Sequence, residues 1–406
     1  MRILVYPTGL RICGSHINAM ELAGAMVRRG HEVVVYGQGG PLVPLLEPLG
    51  IQFARSVSAR LGLEGAVVRE LATLVADYRF DVVHAFEWRP TVDAVLAAQV
   101  ACGVPVVSTV YSMSVPDFFP AHVPLVVGTP AIAAQARRRH RARVTVIEPP
   151  VDLGPEPGET ARARTAGPTS IVIVSRLHPT LKLEGILAAI AAVDRLGAVS
   201  PQRELELVIV GDGPAAAVVT DAAAAVSARG RARIVMAGAA LDPTPFYRSA
   251  DIVIGMGHSA LRAMGMAKPT IIQGEDGFWE LVSTASIPRF LYTGWYGIGD
   301  HRDRESSVRG LVAILTTLLD DAQLLGESAA AGYRVVVERF TLDRAAARQA
   351  RLYEEVMRNR SSRLRAAVEA LRSLHGISRT ALRALVDQDH DVWDFNHKHA
   401  QPLYTG

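Results

Sequence analysis

Short apolar runs separated by segments of helical period fill the first part of the chain. Ile3–Tyr6, Glu32–Tyr36, Asp81–His84, Val104–Thr109, Leu125–Gly128 and Val144–Ile147 read as strands. Residues 15–29, 61–78, 91–101 and 129–139 read as helices between them. Strands that are apolar along their length are covered on both faces, and their alternation with helices predicts a doubly wound parallel sheet. Residues 148–168 break the pattern with Pro149, Pro150, Gly154, Pro155, Pro157, Gly158, Gly167 and Pro168, which reads as a linker. The pattern then restarts. Ile171–Val174, Leu205–Val210, Ile234–Met236, Asp251–Ile254 and Pro269–Gln273 read as strands, with helices near 183–196, 214–228, 243–249 and 259–267. Residues 304–359 read as largely helical, with a break after Phe340 and a new start at Thr341. A basic amphipathic helix is predicted from Arg360 to His375. The last stretch, 387–406, gathers His390, Trp393, Phe395, His397, His399 and Tyr404 without a period.

The fold class is therefore α/β, with two doubly wound domains at 1–155 and 168–340, a helix at 341–359 and an extension at 360–406. A length of 406 residues suits that division. A net charge of +3 gives no global field for nucleic acid. Arginine greatly outnumbers lysine, the only lysines being Lys182, Lys268 and Lys398. The two cysteines, Cys13 and Cys102, form neither a disulfide framework nor a zinc spacing, so a reducing cytoplasm is the expected location. The opening apolar run is too short for a signal peptide, and no run of 18 uncharged apolar residues predicts a membrane span. Contact with a membrane surface stays open, as does the oligomeric state.

In open α/β sheets ligands bind beyond the carboxyl ends of the strands, so the loops that follow strands are where chemistry is expected. Two such domains make one cleft. After Val174 come Arg176 and Lys182, a planar fork and a point charge that can converge on one anion. The spacing alone fits two solvated basic residues as well. After Ile254 come Gly255, Gly257, His258 and Ser259, where backbone can approach a ligand and a helix N-terminus can face an anion. Gly211-Asp212-Gly213-Pro214 is a third such turn, for which turn chemistry is the plainer reading. Gly14 and Ser15 open the first helix, where Ser15 also fits a cap. His84, at the end of a buried strand, fits either an acceptor contact or a satisfied core histidine. Arg137-Arg138-Arg139-His140-Arg141 reads as a solvated helix end. No Gly-x-Gly-x-x-Gly follows the first strand, which argues against a dehydrogenase.

These loops, in this order, resemble glycosyltransferase family 4, the large GT-B family of sugar-nucleotide-dependent transferases. Ser175-Arg176-Leu177 with Lys182 is similar to the family's diphosphate clamp, and Val210–Pro214 to its next turn. Ala263-Met264-Gly265-Met266-Ala267-Lys268-Pro269 is similar to its Ala-Met-Ala-x-Gly-Lys-Pro helix end. Arg339-Phe340-Thr341 and Tyr353 resemble its final helix, which crosses back onto the first domain. The resemblance implies retaining transfer from a nucleotide diphosphate sugar to an acceptor hydroxyl, with no metal and no cofactor beyond the co-substrate. It also implies that Arg176 and Lys182 neutralise the leaving diphosphate, aided by backbone N–H groups at Gly14 and around Gly257.

The chain departs from the family where carboxylates are expected at 254 and 262, and Ile254 and Arg262 stand there instead. Tyr111 stands where many members have histidine. Arg262 falls in the first turn of its helix, where the dipole disfavours a cation. It is expected either to pair with Glu275 or Glu280 or to reach a donor phosphate, and Glu280 is counted with the donor-side candidates. The alternatives left open are a non-catalytic sugar-nucleotide-binding or partner protein, and a sugar-nucleotide epimerase.

Overall fold

The computed structural model describes residues 1–57, 65–138, 140, 142–153, 167–300, 303–387, 393 and 395. It divides into two units, one of Met1–Pro150 with the described residues from Leu342 on, the other of Val151–Thr341. None of the helices among the described residues is long and apolar enough to cross a membrane.

In unit 1 the chain runs β1 (Arg2–Tyr6), α1 (Gly14–Arg28), β2 (Glu32–Gly37), β3 (Gln52–Arg55), α2 (Gly65–Tyr78) and β4 (Val82–Phe86). It continues through α3 (Trp88–Ala94), a π-helical run at Val95–Cys102, β5 (Val106–Val110), β6 (Leu125–Val127), α4 (Pro130–Arg137) and β7 (Val144–Val146). Seven strands form one sheet in the order β3-β2-β1-β4-β5-β6-β7. All pairs are parallel, with Ile3 against Val33 on one side and Val82 on the other. Strand order reverses between β1 and β4, so the loops after these two strands flank the crevice where such sheets bind ligands.

Unit 2 holds β8 (Thr169–Val174), α5 (Leu183–Val199), β9 (Leu205–Val210), α6 (Ala216–Ser227), β10 (Arg233–Gly238), α7 (Thr244–Ser249) and β11 (Ile252–Gly255). Then come α8 (His258–Gly265), β12 (Thr270–Gln273), β13 (Trp279–Leu281), α9 (Ile287–Thr293), α10 (Arg304–Asp320) and α11 (Ala322–Arg339). Its sheet has the order β10-β9-β8-β11-β12-β13, parallel except for β13. The reversal falls between β8 and β11. The chain then returns to unit 1 as α12 (Leu342–Arg358) and α13 (Arg363–Asp387). Leu342, Ala345, Ala346, Leu352, Tyr353 and Val356 of α12 join the core cluster that holds α1 and β1.

Several elements differ from the sequence reading. The 304–340 stretch is two helices, because Asp321 caps the second one by accepting from Leu324 N at 2.9 Å. β3, β13 and α9 were not anticipated. The helix expected at 91–101 begins at Trp88, and the last one continues past His375 to Asp387. The first helix begins at Gly14 with Cys13, not Ser15, at its N-cap. Most of the linker, residues 154–166, lies outside the described residues, as do 61–64 of the second predicted helix, Arg139, Arg141, His390, His397, His399 and Tyr404.

Candidate functional site

In unit 2 the strand-end loops are locked to one another. The turn after β9 braces the loop after β8: Ser175 N donates to Val210 O (3.0 Å), Leu177 N to Asp212 O (3.0 Å) and Ala215 N to Leu177 O (2.9 Å). This approach requires glycine. A Cβ on Gly211 would lie 1.8 Å from Ser175 O, and one on Gly213 would lie 2.4 Å from Leu177 O. Asp212 accepts from Gly213 N at 2.7 Å. Gly211, Asp212 and Gly213 thus shape the loop that carries Arg176.

That loop ends at the N-terminus of the 17-residue α5. Arg176 is exposed and Lys182 half-buried. Lys182 occupies the N-cap position, with no side-chain capping bond. A helix start leaves four backbone N–H groups without intrahelical partners and carries a partial positive charge, so an uncapped one favours an anion. Leu181, just before it, has φ 68°, a strained conformation for a bulky residue. The Lys182 ammonium contacts Met256 Sδ at 2.7 Å. Burial, and then the like charge of Arg176, pull its pKa down to about 7 against the opposing pull of Glu275. Among the described residues neither Arg176 nor Lys182 has a carboxylate at ion-pairing distance. Glu275 is engaged by the Tyr296 hydroxyl. Gln273 Nε2 donates to Lys182 O (3.1 Å), and Glu184, in the first turn of α5, accepts from Gly277 N (2.9 Å) and Asp276 N (3.2 Å).

The loop after β11 is built differently from the sequence expectation. The Gly257 N–H, expected to face a ligand, donates to Trp295 O at 2.7 Å. Gly257 itself has φ 60° and ψ −123°, which admits only glycine at low cost. Gly255 lets α8 close over the strand end, since a Cβ there would be 2.9 Å from Ala260 N. The Ser259 hydroxyl is spent on the Met256 backbone, bonding its N and its O at 3.1 Å each. His258 opens α8, half-buried. The carboxylates suggested for Arg262 have other partners: Glu275 holds Tyr296, and Glu280, on the antiparallel edge strand, pairs with Arg289. Arg262 lies in the last turn of the eight-residue α8, not in the first turn as expected, so the dipole does not oppose it. It bears on Asp242 and Tyr247, and after the hydrogen bonds at Thr244 its charge helps lower the pKa of Asp242. An edge strand and α9, both missed in the sequence, are what draw Glu280 into that pair.

In unit 1 the loops flanking the β1/β4 reversal gather a cluster that sequence reasoning missed. Glu87 directly follows β4 at φ 69°, and its carboxylate accepts from Tyr111 N (2.9 Å) and Ser112 Oγ (2.8 Å). Burial pushes its carboxyl above the usual range, against those hydrogen bonds. The charge of His16 bears on it. Burial acts to raise the Cys13 thiol, but the hydrogen bond and charge of His16 outweigh it and bring the pKa to about 7. Ser15 Oγ lies 3.8 Å from Cys13 Sγ, and Gly14 is exposed, its carbonyl held by Asn18 Nδ2 at 2.8 Å. The Tyr111 phenol oxygen is buried with no hydrogen-bond partner. The position of Glu87 immediately after a buried strand was the available signal. Among the described residues there is no group of three or more His, Cys, Asp or Glu able to hold a metal ion.

His84 does not face solvent. It is 1% exposed, with Nδ1 at 2.7 Å from Tyr353 Oη and Nε2 at 2.7 Å from Thr109 Oγ1. Burial lowers its pKa to about 3. The structure therefore gives it a core role, tying β4 and β5 to α12. The unfolded chain takes up a proton near pH 6.5 that the folded chain refuses until about pH 3, so stability contributed here falls as pH drops through that window. His84→Leu orphans two buried hydroxyls, at about 1–3 kcal/mol each. The expected result is a lower unfolding temperature at neutral pH and a shallower acid loss, read by thermal melts across that range. An unchanged melt at neutral pH counts against a core role.

Two α/β units of parallel strands, the second with a paired-cation loop on an uncapped helix, have the GT-B glycosyltransferase architecture. Residues 13–155 match the family model described as Glycosyltransferase Family 4, and residues 168–293 that described as Glycosyl transferases group 1. The chain is a glycosyltransferase whose two units each match a glycosyltransferase family model. Its fold is similar to that of a glycosyltransferase from Rickettsia africae (17% identity, TM-score 0.65, covering 88% of this chain and 99% of that one). It is also similar to Anabaena Alr3699/HepE in complex with UDP-glucose (16%, TM-score 0.66, 87% and 100%). A third similar structure is the pneumococcal O-GlcNAc transferase GtfA in complex with UDP and GlcNAc (11%, TM-score 0.62, 88% and 99%). No curated protein matches the chain significantly.

Proposed function

We propose that this glycosyltransferase takes its sugar from a uridine diphosphate sugar and passes it to an acceptor hydroxyl with retention. The bond from the anomeric carbon to the diphosphate oxygen breaks, the bond to the acceptor oxygen forms, the diphosphate leaves with the electron pair, and the acceptor hydroxyl gives its proton to the departing diphosphate oxygen. Arg176 and Lys182 meet that growing negative charge, together with the positive end of the α5 dipole. The observation that carries the reading is the half-buried Lys182, its pKa drawn down to about 7 beside Arg176, with no carboxylate among the described residues paired to either. A bound diphosphate supplies what that site lacks. Several structures of similar fold bind UDP or UDP-glucose, which favours uridine. On unit 1, the loops bearing His16, Glu87 and Tyr111 are proposed to receive the acceptor. Arg262 can replace the family carboxylate only as a donor, because guanidinium accepts no hydrogen bond. In this reading it serves a phosphate or ribose oxygen together with the Asp242 loop.

The test is a thermal-shift and turnover screen over nucleotide diphosphate sugars. A UDP-sugar at 100 times its dissociation constant is expected to stabilise the fold by about 2.7 kcal/mol. Turnover is expected to be unchanged by excess chelator, since the two side-chain cations do the neutralising. A shift with GDP-sugars and none with UDP-sugars overturns the nucleotide assignment. Activity lost to chelator and restored by manganese overturns the mechanism.

A further inference from the structure

We propose that the outward face of α13 is a docking surface for an anionic lipid bilayer. The helix has two apolar stripes. The inner one packs on unit 1: Ala366 and Ala370 belong to its core, and Glu369 and Ser373 are buried with them. The outer stripe has no such cover. Leu364, Val368, Leu371 and Leu382 are 77%, 43%, 67% and 63% exposed. With His375 and Ser378 between them, these positions advance by alternating steps of four and three residues, which sets them on one line along the helix. Of the four leucines exposed among the described residues, three lie on this line. Leu364, Val368 and Leu371 are successive positions on that line, and a cluster of exposed apolar residues of this kind marks an interaction surface, whereas scattered apolar residues do not.

The charges choose the occupant. Arg365, Arg372, Arg379 and Arg383 stand along one flank of the stripe, all exposed. The helix's one glutamate, Glu369, is turned inward and bonded to Arg372 at 2.7 Å, so among the described side chains of α13, Arg363 to Arg383, the stripe is bordered by cations with no exposed carboxylate beside it. Over its described side chains a second copy of the helix brings no exposed carboxylate to meet these arginines, and an antiparallel pair sets one arginine row against the other. A bilayer containing acidic phospholipid answers both features, burying the leucines at the level of the head groups and pairing the arginines with phosphates. The helix would lie on such a surface and not span it, in keeping with its charge and with the lack of a spanning helix among the described residues.

The experiment is vesicle co-sedimentation of the full chain. The protein is expected to pellet with vesicles of equal parts phosphatidylcholine and phosphatidylglycerol, to stay in solution with phosphatidylcholine alone, and to release in high salt. Arg379→Ser and Arg383→Ser are each expected to weaken binding roughly fivefold. Leu364→Glu with Leu371→Glu is expected to abolish it. All four side chains point outward, so the unfolding temperature and the thermal shift with a UDP-sugar should match those of the unaltered chain. A folded protein that ignores mixed vesicles, or a leucine double variant that binds them as the parent does, overturns the proposal. So does a parent that is dimeric by light scattering, ignores vesicles and becomes monomeric in that variant, which would assign the stripe to self-association.

Discussion

Arg176→Ala and Lys182→Ala are each expected to lower turnover of a UDP-sugar by about a hundredfold or more, the usual cost of removing one preorganised group from a developing charge. The fold should survive both, because Arg176 is exposed and, among the described residues, the Lys182 side chain is bonded only to a methionine sulfur. Lys182 allows a sharper form of the test. Its folded pKa of about 7 lies well below that of a free lysine, so between those values the unfolded chain holds a proton the folded chain lacks. Stability contributed at this position is therefore lowest below about pH 7 and recovers as pH rises toward the free-lysine value. Lys182→Met removes the penalty. The expected outcome at neutral pH is a higher unfolding temperature together with lost activity, a gain in stability at the expense of function. A donor that restores the charge should do the reverse in the parent, taking up protons on binding, which calorimetry in buffers of different ionisation enthalpy would read. Activity within threefold of the parent in both alanine variants would remove these residues from the mechanism.

The second large effect is expected at Gly211. A methyl there meets Ser175 O at 1.8 Å, in a backbone at φ 150° that side chains rarely adopt. Strain and overpacking together should destabilise unit 2 by about 2–5 kcal/mol. Whatever relaxation accommodates the methyl must move the loop carrying Arg176, so donor affinity should fall even in the folded fraction. Gly326→Ala is the matched control: the site is an exposed helix interior with nothing within 4 Å, and the change should stabilise by about 0.5–1 kcal/mol. Urea unfolding of both variants, followed by UDP-sugar titration, separates the cases. Gly211→Ala with parental stability and affinity would show that the brace between the β8 and β9 loops is dispensable.

The sequence displayed what its pattern could encode. Strands such as Val82–Phe86 are buried at every position, so their apolar runs stand out. β3 is four residues long with both ends exposed, and β13 is three half-buried residues, so neither leaves such a run. Arg176 and Lys182 were legible because they sit within one short loop of a lysine-poor chain. Their surroundings were not, because they come from distant positions: Gln273 reaches Lys182 across 91 residues. The same holds for His84, whose two partners lie 25 and 269 residues away. Reading the strand end alone left its role undecided. Glu87 was missed although its place after a buried strand was visible, because its partners Tyr111 and Ser112 lie 24 and 25 residues away.

The order in which the chain visits its two units has a consequence during synthesis. It leaves unit 1 at Pro150 and re-enters it at Leu342, a junction marked in unit 2 by the Val151 and Thr341 bridge. Among the described residues unit 2 is one uninterrupted segment, and it has all its strands once residue 341 has left the ribosome. Unit 1, though begun first, still lacks Leu352, Tyr353 and Val356 of the core around α1, and His84 lacks its tyrosine. Chains that fold as they emerge usually finish their N-terminal domain first. This one should finish it last, leaving the seven-stranded sheet in need of protection from aggregation until the tail arrives.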